Sequence, residues 1–222
     1  MNRFWELATG LVLTALAGYV DALGFVRLGG LYLSFMSGNT TQFAVSLGQV
    51  DWPKALLPFQ LVAAFLAGAV LGSVLAILVP PRWATPAVLA FESVLVVGAL
   101  AVGLGLPEPN LASLVLAMAM GAQNAVLANV RGFRAGTTFV TGALFGFGHK
   151  IAQALTRTGT PLGWLGDGAV WLSLLPGAWV GTLAYGAFTL YALIPPAAVA
   201  SLLAAVTALV IARAGPSEKA LT

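Results

Sequence analysis

The sequence predicts an all-α polytopic membrane protein, with six transmembrane helices and two re-entrant or broken half-helices in an inverted three-plus-three repeat. Three observations predict it. Of 222 residues, 59% are hydrophobic and 8% charged, whereas a water-soluble domain spends roughly a quarter of its residues on charge. Six apolar runs are long enough to cross a bilayer, a span taking about 17–25 residues as helix. Short polar motifs inside those runs recur in the second half of the chain.

The first run, Leu7–Val26, follows a start that carries both Arg3 and Glu6. It continues well past the length of a secretory core, so it reads as a span and not a cleaved leader. The next segment, Leu31–Leu47, is interrupted by Ser37-Gly38-Asn39-Thr40-Thr41-Gln42. Its limb from Leu31 to Ser37 has extended character, and helical composition resumes after Gly38; Ser37 or Asn39 is the natural cap of that half-helix. Ala55–Val79 is the second span, closed by Pro80-Pro81-Arg82, and Ala84–Leu104 is the third, closed by Leu106-Pro107-Glu108-Pro109-Asn110. Leu111–Val130 is the fourth. A segment from Thr137 then meets His149-Lys150 after about a dozen residues, too short for a helical crossing. Thr141 is its candidate cap. After the loop Thr156–Asp167 come Gly168–Leu190 and Leu193–Ala212, the last opening on Pro195-Pro196. The whole of 1–222 reads as a single membrane domain, with repeats at about 5–105 and 109–213 and a short polar tail at 214–222. Trp5, Trp52, Trp83 and Trp164 lie near span ends and read as interface anchors, and His149 beside Lys150 as a boundary residue.

The basic residues choose between dipping and crossing for the two short segments. If both dip, Arg3, Arg82, Arg131, Arg134, Lys150, Arg157, Arg213 and Lys219 share one side and Arg27 and Lys54 the other. If both cross, the partition is six to four. The positive-inside bias favours the first arrangement, with both termini cytoplasmic in a bacterial inner membrane. Three crossings per half is an odd number, so the second half enters inverted.

The repeat is visible in particular residues. Gly18, Asp21 and Ala22 correspond to Gly121, Asn124 and Ala125 at one constant spacing, and Phe35, Ser37 and Gly38 to Phe139, Thr141 and Gly142 with one residue more. Gly68-x-x-x-Gly72 has its counterpart in Gly177-x-x-x-Gly181. At Gly18–Asp21, Met36–Asn39, Gly121–Ala125 and Thr137–Gly142 the chain resembles the YoaK-type bacterial membrane-protein family, a domain of unknown function. That resemblance implies an integral inner-membrane protein with about six spans, and it carries over no substrate.

The candidate site follows from the repeat. Gly10, Thr14, Ala17, Gly18 and Asp21 share one helix face, and Ser113, Ala117, Met120, Gly121 and Asn124 the matching one. The half-helix starts would meet at mid-depth, where unpaired N–H groups suit an anion or a neutral polar solute. The candidate substrate-binding residues are Asp21, Ser37, Gly38, Asn39, Gln123, Asn124, Thr141 and Gly142, with Asp21 and Glu92 as a candidate proton or ion relay. Asp21 is read equally well as a brace for the re-entrant loop, Gln123 and Asn124 as pins for the second loop, and Glu92 as the partner of a basic group.

Enzyme chemistry finds no support. One His and no Cys exclude His- and thiolate-based metal sites and a Cys nucleophile, and no phosphate-binding loop is present. The sequence therefore predicts a transporter or channel for a small solute with no cofactor or metal, a lipid bilayer as partner, no nucleic acid, and scope for a homo-oligomer. Two alternatives stay open: a broken-helix secondary transporter working as a homodimer, and a non-transporting membrane scaffold whose glycine-rich faces bind partner helices.

Overall fold

The computed structural model describes residues 3–106, 108, 110–127 and 140–213, with residues 3, 4, 6 and 127 described as backbone alone. Among them the chain is helical throughout: α1 (Arg3–Arg27), α2 (Met36–Gly48), α3 (Trp52–Leu78), α4 (Pro81–Gly105), α5 (Leu111–Leu127), α6 (Val140–Leu155), α7 (Leu165–Phe188) and α8 (Ile194–Arg213). A 3-10 turn, Thr189–Leu193, joins the last two. The predicted limb from Thr137 to Phe139, the end of the fourth run at 128–130, Arg131, Arg134, Pro107, Pro109 and the tail at 214–222 lie outside the described residues.

Length and composition mark four stretches as able to cross a membrane: Leu7–Arg27, Trp52–Leu78, Pro81–Gly105 and the 49-residue run Leu165–Arg213. The last contains both α7 (24 residues) and α8 (20 residues). Leu111–Val126 is a shorter apolar helix. The outer surface is that of a lipid-solvated protein, with Leu66, Ile77, Leu78, Val94, Phe145 and Trp179 all more than 60% exposed. An apolar surface of that extent has no place in water. The protein is a multi-pass membrane protein.

Glycines set how the helices meet. A Cβ added to Gly177 would strike the backbone of Ala15, and one on Gly181 the backbone of Tyr19. In the other half, a Cβ on Gly68 would strike Met118 and one on Gly72 would strike Ala122. The reciprocal glycines obey the same rule: Gly18 lies against the Leu174 carbonyl and Ala178 amide, Gly121 against the Phe65 carbonyl and Ala69 amide. Each contact in the pair α1–α7 has its equivalent in α5–α3 at the spacings the sequence motifs carry. In lipid, where apolar burial drives little association, such close backbone approach supplies the dispersion that holds helices together. Residue numbers rise together across both pairs, so α1 runs parallel to α7 and α3 parallel to α5.

The direction of α1 against α5 is opposite. Gln123 on α5 donates from Nε2 to the Leu13 carbonyl at 2.9 Å, while Val20 shares its buried cluster with Leu116 and Ala117. Leu13 and Leu16 cluster instead with Ala125 and Val126. The early half of α1 therefore meets the late half of α5. Since α3 follows α5, α3 begins on the side where α1 ends. Between them α2 has 13 residues, a length of about 20 Å. It packs back along α3, with the rings of Phe43 and Phe59 5.4 Å apart. The matching contact in the second half is Phe147 against Gly168. At the start of α3, Asp51 accepts from the Lys54 N–H at 3.2 Å and pairs with its ammonium at 2.7 Å; that hydrogen bond holds the Asp51 carboxyl below its usual range.

Replacing Gly68 or Gly177 by Val is expected to force the paired helices apart and to lower stability by about 1–3 kcal/mol or more. Gly98→Ala, at a position with open space beside it, should stay within about 0.5 kcal/mol of wild type. Thermal or detergent unfolding of the purified protein checks both.

Candidate functional site

The loop from Leu28 to Phe35 turns back beside α1, and its backbone N–H groups lie outside any helix and need acceptors. Asp21 does this. Its Oδ1 accepts the N–H groups of Leu33 (2.8 Å), Ser34 (2.6 Å) and Phe35 (3.4 Å), and its Oδ2 accepts the Ser34 hydroxyl at 2.6 Å. Asp21 stands six residues before the end of α1, about 9 Å along the helix axis, so the loop descends roughly that far. Gly29 and Gly30 make the reversal with φ of +65° and +109°, backbone that a side chain would strain.

Asn39 completes the hairpin from the α2 side. It is fully buried, accepts the Tyr32 N–H at Oδ1 (2.9 Å) and donates from Nδ2 to the Tyr32 carbonyl (2.7 Å). The capping expectation is corrected here. Phe35 occupies the position before α2 and no side chain of the helix caps it; Asn39 lies one turn in and points back to the loop. The carboxylate at the α2 start belongs to Asp21, supplied from α1. It favours the helix dipole as an anion would, so this helix end is filled from within the fold. Gly38 packs under the rings of Tyr32 and Phe35. Ser37 is exposed, and its hydroxyl makes no hydrogen bond among the described residues. Ser34, which sequence reasoning missed, carries more of the loop's bonding than Ser37; its only signal was a hydroxyl in the extended limb.

In the second half, Asn124 stands where Asp21 stands in the first. Its Nδ2 donates to the Met120 carbonyl at 2.8 Å and its Oδ1 is buried. The stretch equivalent to Leu33–Phe35 falls outside the described residues. Gln123 is fully buried and reaches across to the α1 backbone. Thr141 lies exposed inside α6, with Gly142 half-buried beside it. His149 is exposed and stacks on Phe145 with ring centroids 6.0 Å apart.

The predicted residues thus fall into two groups. Asp21 and Asn39 meet around one loop, and Gln123 with Asn124 sits at the α5–α1 contact. Between the groups, Ala17, Val20, Ala117 and Met120 are buried side by side. A cavity of about 120 Å³ lies elsewhere, between the early half of α1 (Trp5, Ala8, Thr9, Val12) and the late half of α8 (Leu203, Val206, Thr207, Val210).

Glu92 lies inside α4, fully buried, and neither carboxyl oxygen has a hydrogen-bond partner. The expectation that it partners a basic group is not met: no salt bridge reaches it among the described residues. No group of His, Cys, Asp and Glu suited to a metal occurs among them either.

Asp21→Ala is expected to strand three loop N–H groups, at about 1–3 kcal/mol for each group left unsatisfied. Asp21→Asn should cost less, since its amide oxygen still accepts. Hydrogen exchange of residues 28–35 reads the difference.

Comparison with known proteins gives a consistent result. A family profile described as "Protein of unknown function (DUF1275)" matches residues 9–206. The chain is 36% identical over 181 residues to the UPF0700 transmembrane protein RA0705 of Rhizobium meliloti (strain 1021), covering 79% of this chain and 76% of that protein. No solved structure matches. The chain belongs to the DUF1275 family of membrane proteins, as the resemblance carried by its four motifs implies.

Proposed function

We propose that this DUF1275-family protein is a transporter of a small solute, built as a three-plus-three inverted repeat whose halves exchange helices. The carrying observation is the paired set of contacts: α1 against α7 and α5 against α3, glycine for glycine, with α1 and α5 antiparallel. Those directions favour a chain that dips through α2 and returns to the side it left. They disfavour full crossing by that segment and the dimeric broken-helix alternative with it. Repeats related by inversion are a recurrent transporter plan, because two equivalent halves can trade conformations around a central site.

A second observation supports movement. If the halves are equivalent, the contact α4–α5 should have a counterpart in α8–α1. Yet α4 and α5 pack closely, with Gly103 against Ala112, while α8 and α1 separate around the 120 Å³ cavity. Equivalent contacts in unequal states are what alternating access requires. The scaffold reading loses support for the same reason that the fold holds: Gly18, Gly68, Gly72, Gly121, Gly177 and Gly181 are used inside the molecule.

In this reading Asp21 and Asn39 build one hairpin, and Gln123 with Asn124 anchors the other half. Thr141 and Gly142, at the start of α6, are the positions left for a solute, while the α2 start at Ser37 and Gly38 is occupied by the hairpin. The open side is the one that holds Arg82, Lys150, Arg157 and Arg213 in number and only Arg27 and Lys54 opposite, so the bacterial inner membrane would place it, with both termini, toward the cytoplasm. No part of the proposal requires a cofactor or covalent chemistry.

The chain has no Cys, so single cysteines report cleanly. Labelling with a membrane-impermeant maleimide is expected to place Gln49→Cys outside and Thr158→Cys inside; the same side for both would sink the re-entrant topology. In proteoliposomes, osmotic swelling across a panel of neutral and anionic small solutes should reveal flux, and a Thr9→Cys/Thr207→Cys cross-link should stop it. Vesicles indistinguishable from protein-free controls for every solute would return the scaffold reading to first place.

A further inference from the structure

The buried apolar core is divided in two. One cluster gathers Val20, Leu23, Val96, Ala99, Leu116, Met120, Leu193 and Ala197; the other gathers Leu13, Leu16, Val88, Leu89, Ala125, Val126, Ala200 and Ala204. On each of four helices the two clusters take separate segments: the change falls between Leu16 and Tyr19 on α1, Leu89 and Val96 on α4, Met120 and Ala125 on α5, and Ala197 and Ala200 on α8. Glu92 falls in the layer between the two segments of α4, and Gln123 between the two segments of α5.

Glu92 is the anomaly of this layer. It is 0% exposed, and both carboxyl oxygens lack hydrogen-bond partners. An isolated buried carboxylate is too costly to persist unless it is paired or neutralised. Among the described residues no charge lies in position to pair it. Among the described residues, α5 and the 3-10 turn carry no charged side chain, α3 carries only Lys54 in its first turn, and α8 only Arg213 as its last residue. On α4 itself Arg82 stands almost three turns away. Asp21 on α1 is committed to the loop amides, Tyr19 gives its hydroxyl to the Ala192 carbonyl at 2.8 Å, and Arg27 ends its helix. Tyr191, in the turn, is more than half exposed.

We propose that Glu92 is the proton-carrying carboxyl of this protein, neutral in the state described and exchanging its proton through the α1–α8 cavity. A proton needs no coordination shell, which suits a carboxyl whose neighbours on α4 are Val88, Leu89 and Val96. The cavity approaches from the side of Trp5 and Val210, carries the hydroxyls of Thr9 and Thr207, and stops at the second cluster. Separation of Leu13 and Leu16 from Ala200 and Ala204 would open Glu92 to water on that side, where the carboxyl releases its proton. The first cluster closes the opposite side in the same state. The inference rests on the transport reading and names its coupling ion.

The test reads Glu92 without needing a solute. In purified protein, an apolar carbodiimide is expected to label Glu92, with labelling that falls as pH rises through the carboxyl's titration; Glu92→Gln should remove the labelled peptide. Labelling independent of pH, labelling of Asp21 in place of Glu92, or protection by sodium at constant pH overturns the assignment. If Glu92→Gln does not fold, the wild-type pH profile decides alone. After transfer to heavy water, the infrared band of the protonated carboxyl should shift severalfold more slowly in Thr207→Trp, which fills the cavity. An unchanged rate overturns the proposed route. A titrating Glu92 in a protein that moves no solute would sink the transport reading and the coupling role with it, leaving only the proton exchange of Glu92.

Discussion

The close approach of backbones at six glycines is the constraint on which the rest of the structure depends. Gly177 and Gly181 seat α1 in α7, Gly68 and Gly72 seat α5 in α3, and Gly18 and Gly121 complete the two seams. Lipid tails offer helices no gain for hiding leucine, so affinity comes from atoms in contact and from backbones near enough to touch. Because each seam joins a helix of one half to a helix of the other, neither half has its full set of neighbours alone. The seams also run parallel, which leaves α3 starting where α1 ends.

That geometry creates a problem of its own. The loop from Leu28 to Phe35 turns back beside α1 and carries backbone N–H groups that lie outside any helix and need acceptors. The first half solves it with two side chains reaching from opposite sides: Asp21 gathers the amides of Leu33, Ser34 and Phe35, and Asn39 holds both backbone groups of Tyr32. Asp21 spends both oxygens in this way. Its role is to hold a backbone in place, and among the described residues the buried carboxyl without a partner is Glu92. The two acids show why position inside a span is only half of an argument about function. The other half is whether anything nearby already satisfies the group.

The buried apolar core forms two clusters, and Glu92 on α4 and Gln123 on α5 stand where each helix passes from one to the other. The α1–α8 cavity reaches the cluster of Leu13 and Leu16 while the matching α4–α5 contact is shut. In the proposed transporter these are the two gates, seen with one loosened and one closed.

Much of this was legible in the chain. Charge content and run length settle that lipid is the solvent and that the spans are helices. The polar interruption at Ser37–Gln42 marks a segment unlike a plain span. These readings succeed because hydropathy and local periodicity are properties of sequence neighbours. Which residues do the work at each motif was decided by contacts between distant elements. Asn39 could cap its own helix or hold Tyr32, and Asp21 could face a solute or a loop; only the position of residues 28–35 against α1 chose. Glu92 has no counterpart motif to announce it, and its significance appears when α3, α5 and α8 close around it without a partner. The sequence by itself determined the solvent and the helices. Tertiary packing alone decided which polar groups are satisfied, because satisfaction depends on partners that lie a hundred residues away.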